Sequence, residues 1–577
     1  MRRRAASFLF AFALAATGFV GLAHAQTPVV TFAGETMRLR SATVSNGSGG
    51  AFNVGLVMED DNANSSLGTS FRRWWHCQIG SLNPVGTTMT VTVSNAGYTD
   101  IILPVWSSST DGVTFGPYTR VPLSALPTLI GSTQHRFTLT TPPGVTAIRL
   151  AKYFPYSVTQ KDAWLATLAG DARVRSIAVI GSSTQGRPIH RIEMTDGTVP
   201  DAGKARIWIH AGIHPSETTS YFTVEGLVAW LRSGDALAEV LLDHTILDIV
   251  PMANPDGVFL GNYRTNANSV NLENEWAAPY NSSQGEIVAL RTTIESYMGT
   301  VASPGANPIG VLLNLHSSHN VSFPFHFRHV ANASWNPTTN NSGVIPLVNQ
   351  IEGDWIAAFE ARSDFVDLGS TQSSTAGAPS RPFVESMCHD RWTAVNGWLN
   401  APGFQDPVMA ITFEGTYGKG PDAVTWNTEA DYRQCGAEMG QALADYLGLT
   451  LTASLTTYAG PCNSVTLGGS LAAQPDGSHI ANLQITNGYA NGGCILVLGG
   501  AQILAPLPAP WNACALVCSP DVSVGFLLDG AGAASVPLVM PAVAGLGAYL
   551  QALALDFSMP PALPLDASNG VHLANNY

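Results

Sequence analysis

The sequence predicts a multidomain protein with an N-terminal antiparallel β-sandwich, a central α/β domain built on a mixed sheet, and a small C-terminal β module. Three changes of pattern along its 577 residues support this fold class. Short alternating runs of apolar and polar residues come first, and longer apolar runs separated by helical stretches follow. The last part of the chain contains neither lysine nor arginine. The length is sufficient for several domains.

Residues 1–25 have the pattern of a signal peptide. Three arginines precede an apolar run from Phe8 to Leu22, and Ala23-His24-Ala25 is a small-x-small cleavage pattern. The alternative is a membrane anchor, but the run is short for a spanning helix. Because no later apolar run is long and uninterrupted, we expect an exported protein, periplasmic or extracellular, without a membrane span after the signal is removed.

Residues 26–155 are predicted to form the β-sandwich. The runs TMTVTVSNAGYTDIILPVW (88–106) and HRFTLTTPPGVTAIRLAKYF (135–154) alternate apolar and polar residues, and Gly, Asn, Ser and Pro separate the runs. This alternation is typical of antiparallel strands with one buried face.

Residues 156–450 are predicted to form the α/β domain. Helical stretches such as TSYFTVEGLVAWLRS (219–233) separate the apolar runs, which indicates a largely parallel or mixed sheet. The strand-like runs are ARIWIH (205–210), TILDIV (245–250), GVLLNLH (310–316) and VMAITFE (408–414).

Residues 451–577 are predicted to form the C-terminal β module. The segment has five aspartates as its only charged residues and is rich in Ala, Leu, Gly and Pro. It loosely resembles C-terminal modules of exported proteins from environmental bacteria. Because disulfides form in oxidising compartments, we expect two of them here, with the pairing left open, among Cys462, Cys494, Cys514 and Cys518.

The charge of the chain disfavours anionic partners. The formal net charge is −14, and loss of the three arginines of the signal peptide makes it −17. Neither nucleic acid nor an anionic membrane surface is an expected partner of such a chain.

A metal site is indicated by the stretch IHAGIHPSET, residues 209–218. His214 and Glu217 follow a predicted strand, and their three-residue spacing places them on one face of a helical turn. Imidazole nitrogen and carboxylate oxygen both suit Zn²⁺, which needs a third protein ligand in a catalytic site. His316 ends another predicted strand and is the best candidate. His210 is the rival ligand, but its place within a strand run favours a buried, hydrogen-bonded histidine.

Three further histidines follow His316 in the sequence. They are predicted to line or support the cleft rather than to bind zinc, and they are His319, His326 and His329.

Glu414 ends the last apolar strand of the α/β domain. A carboxylate buried there without a partner costs several kcal/mol, so we expect it to have a function or a partner. Beside zinc it could take a proton from water and pass it to a leaving amine. The alternative is a structural carboxylate bonded to backbone amides.

The order of these motifs resembles that of the zinc metallocarboxypeptidases of the M14 family. The likeness spans about residues 50–450, and GNYR after NPDG is similar to the cytosolic carboxypeptidase branch, as are the sandwich segments FRRWWHCQIG (71–80) and YFPYSV (153–158). The catalytic-domain motifs are His214-x-x-Glu217, NPDG (254–257), GNYR (261–264), His316-Ser317 and TFEGTYG (412–418).

The resemblance implies a function for each motif. It implies one zinc ion per chain, held by His214, Glu217 and His316, with Glu414 as general base and acid. It implies that Arg264 polarises the scissile carbonyl and stabilises the oxyanion, the alternative being an ordinary surface cation. The implied substrate is a peptide or protein that loses its C-terminal residues.

The sequence departs from the family at VNLENEW, residues 270–276. The family has an Asn-Arg pair there that grips the substrate's terminal carboxylate, and this chain has Glu273 and Asn274. We expect the carboxylate of Glu273 to repel the carboxylate of the substrate, whereas Asn274 could still donate one hydrogen bond. Arg391 could face an acidic substrate side chain, or form a surface salt bridge instead. Tyr417 could take the place of a family tyrosine near the substrate, or be a packed aromatic residue.

Three functions therefore remain open. The first is a metallocarboxypeptidase, with acidic C-termini as one option. The second is an amidase or deacylase acting on an acylated amino acid or a cell-wall peptide. The third is an inactive zinc-binding surface protein.

Overall fold

The computed structural model describes residues 26–318, 324–327, 344–363, 383–392, 408–420, 422–449, 452–474, 478–511, 514–541, 546–557 and 564–576. The predicted signal peptide, His319 and His329 lie outside the described residues. None of the helices described in these ranges combines the length and apolar character needed to cross a membrane.

The N-terminal part is a sandwich of two five-stranded sheets, as predicted. The sheet orders are β1-β4-β10-β6-β7 and β2-β3-β5-β9-β8, and every pairing except the parallel pair β3–β5 is antiparallel. Alternate residues of the strands fill one core, including Val54, Val91 and Ile148. The strands are β1 Val29–Thr31, β2 Ser41–Asn46, β3 Phe52–Val57, β4 His76–Gly80, β5 Thr88–Ser94, β6 Val105–Ser109, β7 Thr119–Arg120, β8 Thr128–Ile130, β9 Gln134–Thr140 and β10 Ala147–Ala151.

The central part is a seven-stranded mixed sheet in the order β11-β12-β14-β13-β17-β19-β18. The four strands β14, β13, β17 and β19 are mutually parallel, and β11, β12 and β18 are antiparallel to their neighbours. The seven strands are β11 Val174–Ser182, β12 Pro188–Met194, β13 Ala205–Ala211, β14 Thr245–Val250, β17 Ile309–Ser318, β18 Phe325–Phe327 and β19 Met409–Thr416, and the pair β15 Gly299–Thr300 and β16 Ser303–Pro304 stands apart.

Helices cover both faces of the central sheet. Phe222 and Leu227 of α2 pack in the core on one face, and Leu290 of α5 and Met387 of α7 pack in the core on the other. The parallel strands are consequently buried on both faces and read as continuous apolar runs. The helices are α1 Val158–Thr167, α2 Thr219–Leu231, α3 Ala236–His244, α4 Pro255–Leu260, α5 Gly285–Met298, α6 Val344–Arg362, α7 Val384–Arg391 and α8 Glu429–Tyr446.

The parallel strands place the predicted site residues at one edge of the sheet. His210 of β13 is paired with Asn314 of β17, and Asn314 with Thr412 of β19. The same register pairs His316 with Glu414. Polar residues far apart in the sequence therefore meet where the strands end, which is where open α/β sheets bind ligands.

The C-terminal part consists of β-strands, as predicted, and contains one disulfide. Cys462 and Cys514 are bonded, whereas Cys494 and Cys518 are buried thiols, so the expectation of a second bridge is wrong. Cys494 packs with Leu496 on one side of β23 and Cys518 with Val497 on the other, so the strand separates them. The strands are β20 Thr452–Thr457, β21 Thr466–Ala473, β22 His479–Thr486, β23 Gly493–Gly499, β24 Gln502–Pro506, β25 Ala515–Cys518, β26 Val522–Leu527, β27 Ala534–Met540, β28 Gly547–Leu555, β29 Leu565–Ala567 and β30 Val571–Asn576.

Candidate metal centre

His214 and Glu217 lie in the tight turn between β13 and α2. Gly212 at the start of this turn has φ +74°, and a Cβ there would be 2.4 Å from the ring of Tyr221, so the turn requires glycine. The Tyr221 hydroxyl donates to the Pro215 carbonyl at 2.8 Å. The sequence predicted that both residues would lie in the first turn of a helix, but α2 begins at Thr219, after the turn.

Three side chains converge at this edge of the sheet. Nδ1 of His214 is 2.9 Å from Oε1 of Glu217, and Nδ1 of His316 is 2.7 Å from Oε2. The two Nδ1 atoms are 3.1 Å apart. One ligand atom from each of the three residues lies within 4.8 Å of the others, and all three residues are buried. The two imidazole nitrogens and one carboxylate match the His₂Glu ligand type of catalytic zinc sites.

The electrostatics of these three residues, hereafter the metal group, fit a cation. Burial raises the pKa of Glu217, but His214 and His316 outweigh it and hold this pKa well below its ordinary value. Burial lowers the pKa of His316, but Glu217 and Glu273 outweigh it and raise the pKa well above its ordinary value. The carboxylates thus draw positive charge onto His316, and a bound divalent ion would supply that charge instead.

The outward nitrogens of both histidines face oxygen atoms of one short segment. Nε2 of His214 is 3.0 Å from Oδ1 of Asn271. Nε2 of His316 is 3.4 Å from Oε2 of Glu273, which is within the distance range of an ion pair. Such partners orient metal-binding histidines and fix which nitrogen faces the metal. Asn271 and Glu273 therefore help to turn both Nδ1 atoms toward Glu217.

Glu273 points into the protein and not toward a substrate. Its side chain is buried, and Oε1 accepts a hydrogen bond from Nδ2 of Asn314 at 3.1 Å. The sequence placed Glu273 where the family grips a substrate carboxylate, and the expectation that it would repel that carboxylate assumed an outward side chain. Its neighbour Asn274 is exposed, so a contact between Asn274 and a substrate stays a prediction.

Glu414 lies beside the metal group on β19. It is the register partner of His316 and is partly exposed. Burial of its carboxyl, followed by the negative charge of Glu217, raises the pKa of Glu414 to about 8. Across the described residues no backbone N–H donates to this carboxylate, so the structural alternative finds no support there. A carboxyl with this pKa can both accept and release a proton near neutral pH.

Arg264 approaches the metal group from the loop after α4. Its Nη1 is 4.0 Å from Oε1 of Glu217, and its side chain is 32% exposed. The guanidinium therefore has one side toward the metal group and another toward solvent, as a group that contacts substrate requires.

The sequence missed Asp61, which binds the backbone of this loop. Its carboxylate accepts hydrogen bonds from the N–H groups of Tyr263, Arg264 and Thr265. Asp61 lies in a short turn four residues beyond β3, and no pattern near it in the sequence indicates a partner about 200 residues away.

The other two predicted substrate residues have partners within the protein. Nη1 of Arg391 forms an ion pair with Glu295, which matches the salt-bridge alternative. Tyr417 is buried, stacks on Tyr153 with ring centroids 3.8 Å apart, and donates its hydroxyl to the Ser317 carbonyl at 3.0 Å. Tyr417 thus matches the packed-aromatic alternative.

Two other histidines stand apart from the metal group. His210 is buried and accepts a hydrogen bond from Nε1 of Trp208 at 3.0 Å, as its interpretation required. His326 was predicted to line or support the cleft rather than to bind zinc, and it is fully buried against Trp355 and Phe413. It therefore does not line the cleft, because β18 turns it into the aromatic core beside β19, and a supporting role stays a prediction.

Comparison with known proteins agrees with this geometry. The family model Peptidase_M14, described as zinc carboxypeptidase, matches residues 162–380. Cytosolic carboxypeptidase 6 of Mus musculus is 36% identical over 102 residues, which are 17% of this chain and 19% of the relative. Cytosolic carboxypeptidase 6 of Caenorhabditis elegans is 31% identical over 156 residues, which are 26% of this chain and 33% of the relative. The chain therefore matches a third or less of the length of these two relatives.

Solved structures show the same fold over a longer stretch. The metallo-carboxypeptidase from Burkholderia cenocepacia has a TM-score of 0.56 and 21% identity, covering 73% of this chain and 99% of that one. The metallo-carboxypeptidase from Pseudomonas aeruginosa has a TM-score of 0.54 and 20% identity, with the same coverage. Residues 162–380 thus match the M14 zinc carboxypeptidase domain, whose family has zinc as its cofactor, and the solved structures show the same fold.

Proposed function

We propose that this protein is a zinc-dependent hydrolase of peptide bonds that acts as a metallocarboxypeptidase on peptides or proteins. The observation that supports it most directly is the convergence of His214, Glu217 and His316, with Glu414 as the strand neighbour of His316. Arg264 completes the arrangement on the Glu217 side.

Each residue has a distinct task in this proposal. His214, Glu217 and His316 would hold one zinc ion, which when bound acts as a Lewis acid toward a carbonyl oxygen and makes water more acidic. Glu414 accepts a proton from the attacking water. It then donates this proton to the departing amine, which requires a carboxyl that is readily protonated and deprotonated. Arg264 donates hydrogen bonds to the carbonyl oxygen as negative charge develops on it.

Glu273 and Asn274, which stand where the family has its Asn-Arg pair, keep a second function open. Glu273 is directed at His316, and exposed Asn274 has no guanidinium fork with which to bind a carboxylate at two points. An amidase or deacylase that acts on an acylated amino acid or a cell-wall peptide would need no such fork. This departure from the family is what favours the second candidate.

We also propose that the protein is exported, with residues 1–25 as its signal peptide. The basic start, the apolar run and the small-x-small site support this, and the bond between Cys462 and Cys514 suits an oxidising compartment. An N-terminus at Gln26 in the protein isolated from its host would agree, whereas an intact N-terminus at Met1 would oppose export by this route.

The proposed activity is tested by the isosteric substitution Glu414→Gln. We expect the variant to bind zinc as wild type does and to lose hydrolysis by about 10²- to 10⁴-fold, because the proton acceptor is removed. The measurement is release of the C-terminal amino acid or amino acid amide from a peptide library with free and with amidated C-termini, beside zinc content by mass spectrometry. Glu239→Gln, at a partly exposed ion pair with Arg173, is the matched control and should keep full activity.

The outcomes separate the candidate functions. Faster cleavage of free C-termini supports a carboxypeptidase, and equal rates on free and amidated C-termini support an amidase. If zinc-loaded wild type cleaves no amide faster than Glu414→Gln does, the protein is not an enzyme of this type, and the zinc-binding surface protein remains.

A further inference from the structure

The N-terminal sandwich contacts the loop that carries Arg264 through one buried carboxylate. Asp61, in the short turn after β3, accepts hydrogen bonds from three consecutive backbone N–H groups. Its Oδ1 is 2.6 Å from N of Tyr263, and its Oδ2 is 2.8 Å from N of Arg264 and 2.9 Å from N of Thr265. The backbone of Arg264 is thus bound directly by a residue about 200 positions earlier in the chain.

A neighbouring asparagine adds further bonds between the same two segments. The Asn62 N–H donates to Oδ1 of Asn262 at 3.1 Å, and Nδ2 of Asn262 donates back to Oδ1 of Asn62 at 2.9 Å. Nδ2 of Asn62 also donates to the Asn266 carbonyl at 2.8 Å. The loop is therefore held at both sides of Arg264 by side chains of the sandwich.

The sandwich also contacts the guanidinium of Arg264. The ring of Phe71 lies 5.8 Å from Cζ of Arg264, a separation at which cation–π attraction is weak but favourable. Both ends of the Arg264 residue, its backbone and its charged group, are consequently placed by the N-terminal sandwich while Nη1 remains 4.0 Å from Oε1 of Glu217.

A carboxylate is well suited to this position. Asp61 is 1% exposed, and burying a carboxylate is costly unless it is hydrogen-bonded. Burial raises the pKa of Asp61, and the three backbone bonds act against that rise. An asparagine there would turn an NH₂ donor toward one of the three N–H donors and could not bind all of them. The position thus requires an acceptor with two oxygens.

We propose that Asp61 is a positioning residue that sets Arg264 for oxyanion stabilisation, which makes the N-terminal sandwich a structural part of the active site. The inference rests on the proposed function, since it assigns to Arg264 a part in the reaction. It goes further because it extends the site beyond the catalytic domain.

The contact itself is tested without reference to activity. Backbone amide exchange of the peptide that contains residues 262–266 is followed by mass spectrometry in the zinc-loaded full chain. We expect exchange to be about tenfold faster or more in Asp61→Asn than in wild type, because the acceptor of these N–H groups is weakened. Asp60→Asn is the matched control, since Asp60 is equally buried but its carboxylate binds Arg40 and Arg72.

The effect on catalysis is tested by a double-mutant cycle with Arg264→Ala. We expect Asp61→Asn to lower kcat on the order of 10- to 100-fold with a smaller change in KM, because misplacement of a positioned group affects the transition state most. In the Arg264→Ala background the same substitution should change kcat by less than about twofold. Phe71→Leu offers a milder change from a partly buried position and should show a smaller loss that also disappears without Arg264.

Each outcome decides the inference. An equal loss of kcat in both backgrounds, or amide exchange of residues 262–266 that is unchanged in Asp61→Asn, overturns it even if the wild type is an active peptidase. If Asp61→Asn does not fold, the double-mutant cycle of Phe71→Leu with Arg264→Ala is used instead. An equal loss of kcat with and without Arg264 would again overturn the inference. A wild type that exchanges as expected but hydrolyses no amide shows that the proposed function has failed, and the inference fails with it for that separate reason.

Discussion

The metal group and the adjacent clamp segment, residues 270–276, differ in how far they follow the M14 pattern. The metal group keeps His214, Glu217 and His316 in close contact. At the clamp segment the resemblance implies an Asn-Arg pair, where this chain has Glu273 and Asn274, and Asn271 and Glu273 contact the histidines of the metal group. The segment therefore supports the metal ligands and has no arginine with which to grip a substrate carboxylate.

This difference predicts that substitutions can alter metal binding and substrate recognition separately. Residues 271 and 273 face the histidines, whereas residue 274 is exposed. A substitution at residue 274 alters the side chain that a substrate entering from solvent can contact. A substitution at residue 273 alters the partner that orients His316. The comparison predicts that variants of the two regions will affect different measured quantities.

The largest effect is expected for His316→Ala in the metal group. Removal of one of three protein ligands should abolish stoichiometric zinc binding, because the two remaining ligands do not complete a His₂Glu site. Zinc content after dialysis against a weak chelator is the measurement. Asn274→Ala in the clamp segment should keep one zinc per chain. Retention of zinc by His316→Ala would mean that other side chains form the site, and the assignment of the metal group would be wrong.

The next effect is expected on substrate preference when an arginine is returned to the clamp segment. Asn274→Arg restores a guanidinium at an exposed position and leaves Glu273 in place beside His316. A charge-assisted bond to a carboxylate contributes roughly 1.5–3 kcal/mol, so kcat/KM for free relative to amidated C-termini should rise about 10- to 100-fold.

Asn274→Gln is the control for this gain, since it lengthens the side chain without adding charge. It should leave the ratio of the two rates near its wild-type value. An unchanged ratio in Asn274→Arg would show that the substrate terminus lies elsewhere in the cleft, and the clamp segment would then have no part in recognition.

Much of the metal group could be predicted from the sequence because it depends on strand ends. His316 and Glu414 each end an apolar run, and parallel strands with a common register bring their carboxyl ends to one edge. The spacing of His214 and Glu217 is local and short. The chemistry of the residue types then restricts which metal they can hold.

The remaining features depend on side-chain direction and on distant contacts. The sequence locates Glu273 but does not show whether its carboxylate turns inward, and burial next to His316 and Asn314 decides that. Tyr417 and Arg391 find partners that lie far from them in the chain. Asp61 bonds to a loop about 200 residues away, for which no local pattern exists.

The strand pairing within the sandwich is another feature that the sequence does not determine by local pattern alone. Alternation of apolar and polar residues predicts strands with one buried face, but it does not specify the direction of a neighbour. β3 and β5 pair in parallel although most of the sandwich is antiparallel. The second predicted disulfide failed for a related reason, because proximity across a sheet cannot be read from cysteine spacing.

The smallest effect, and the sharpest test of the comparison, is expected for Glu273→Gln. The amide keeps the size of the side chain and a carbonyl oxygen for Asn314, but it removes the negative charge 3.4 Å from Nε2 of His316. Loss of such an outer partner typically weakens metal binding 10- to 100-fold. Because the amide keeps the bond to Asn314 and holds the side chain in place, we expect a decrease near the lower end, about tenfold.

Zinc affinity from competition with a chromogenic chelator measures this change, and the visible spectrum of the cobalt-substituted protein reports on the geometry at His316. Glu275→Gln is the matched control, because Glu275 lies in the same segment but accepts from Ser282 and contacts no metal ligand. The control should leave both the affinity and the spectrum as in wild type. An unchanged zinc affinity in Glu273→Gln, together with a shifted preference between free and amidated C-termini, would mean that Glu273 acts on the substrate. The metal group would then not depend on the clamp segment through this residue, and Glu273 would affect specificity alone.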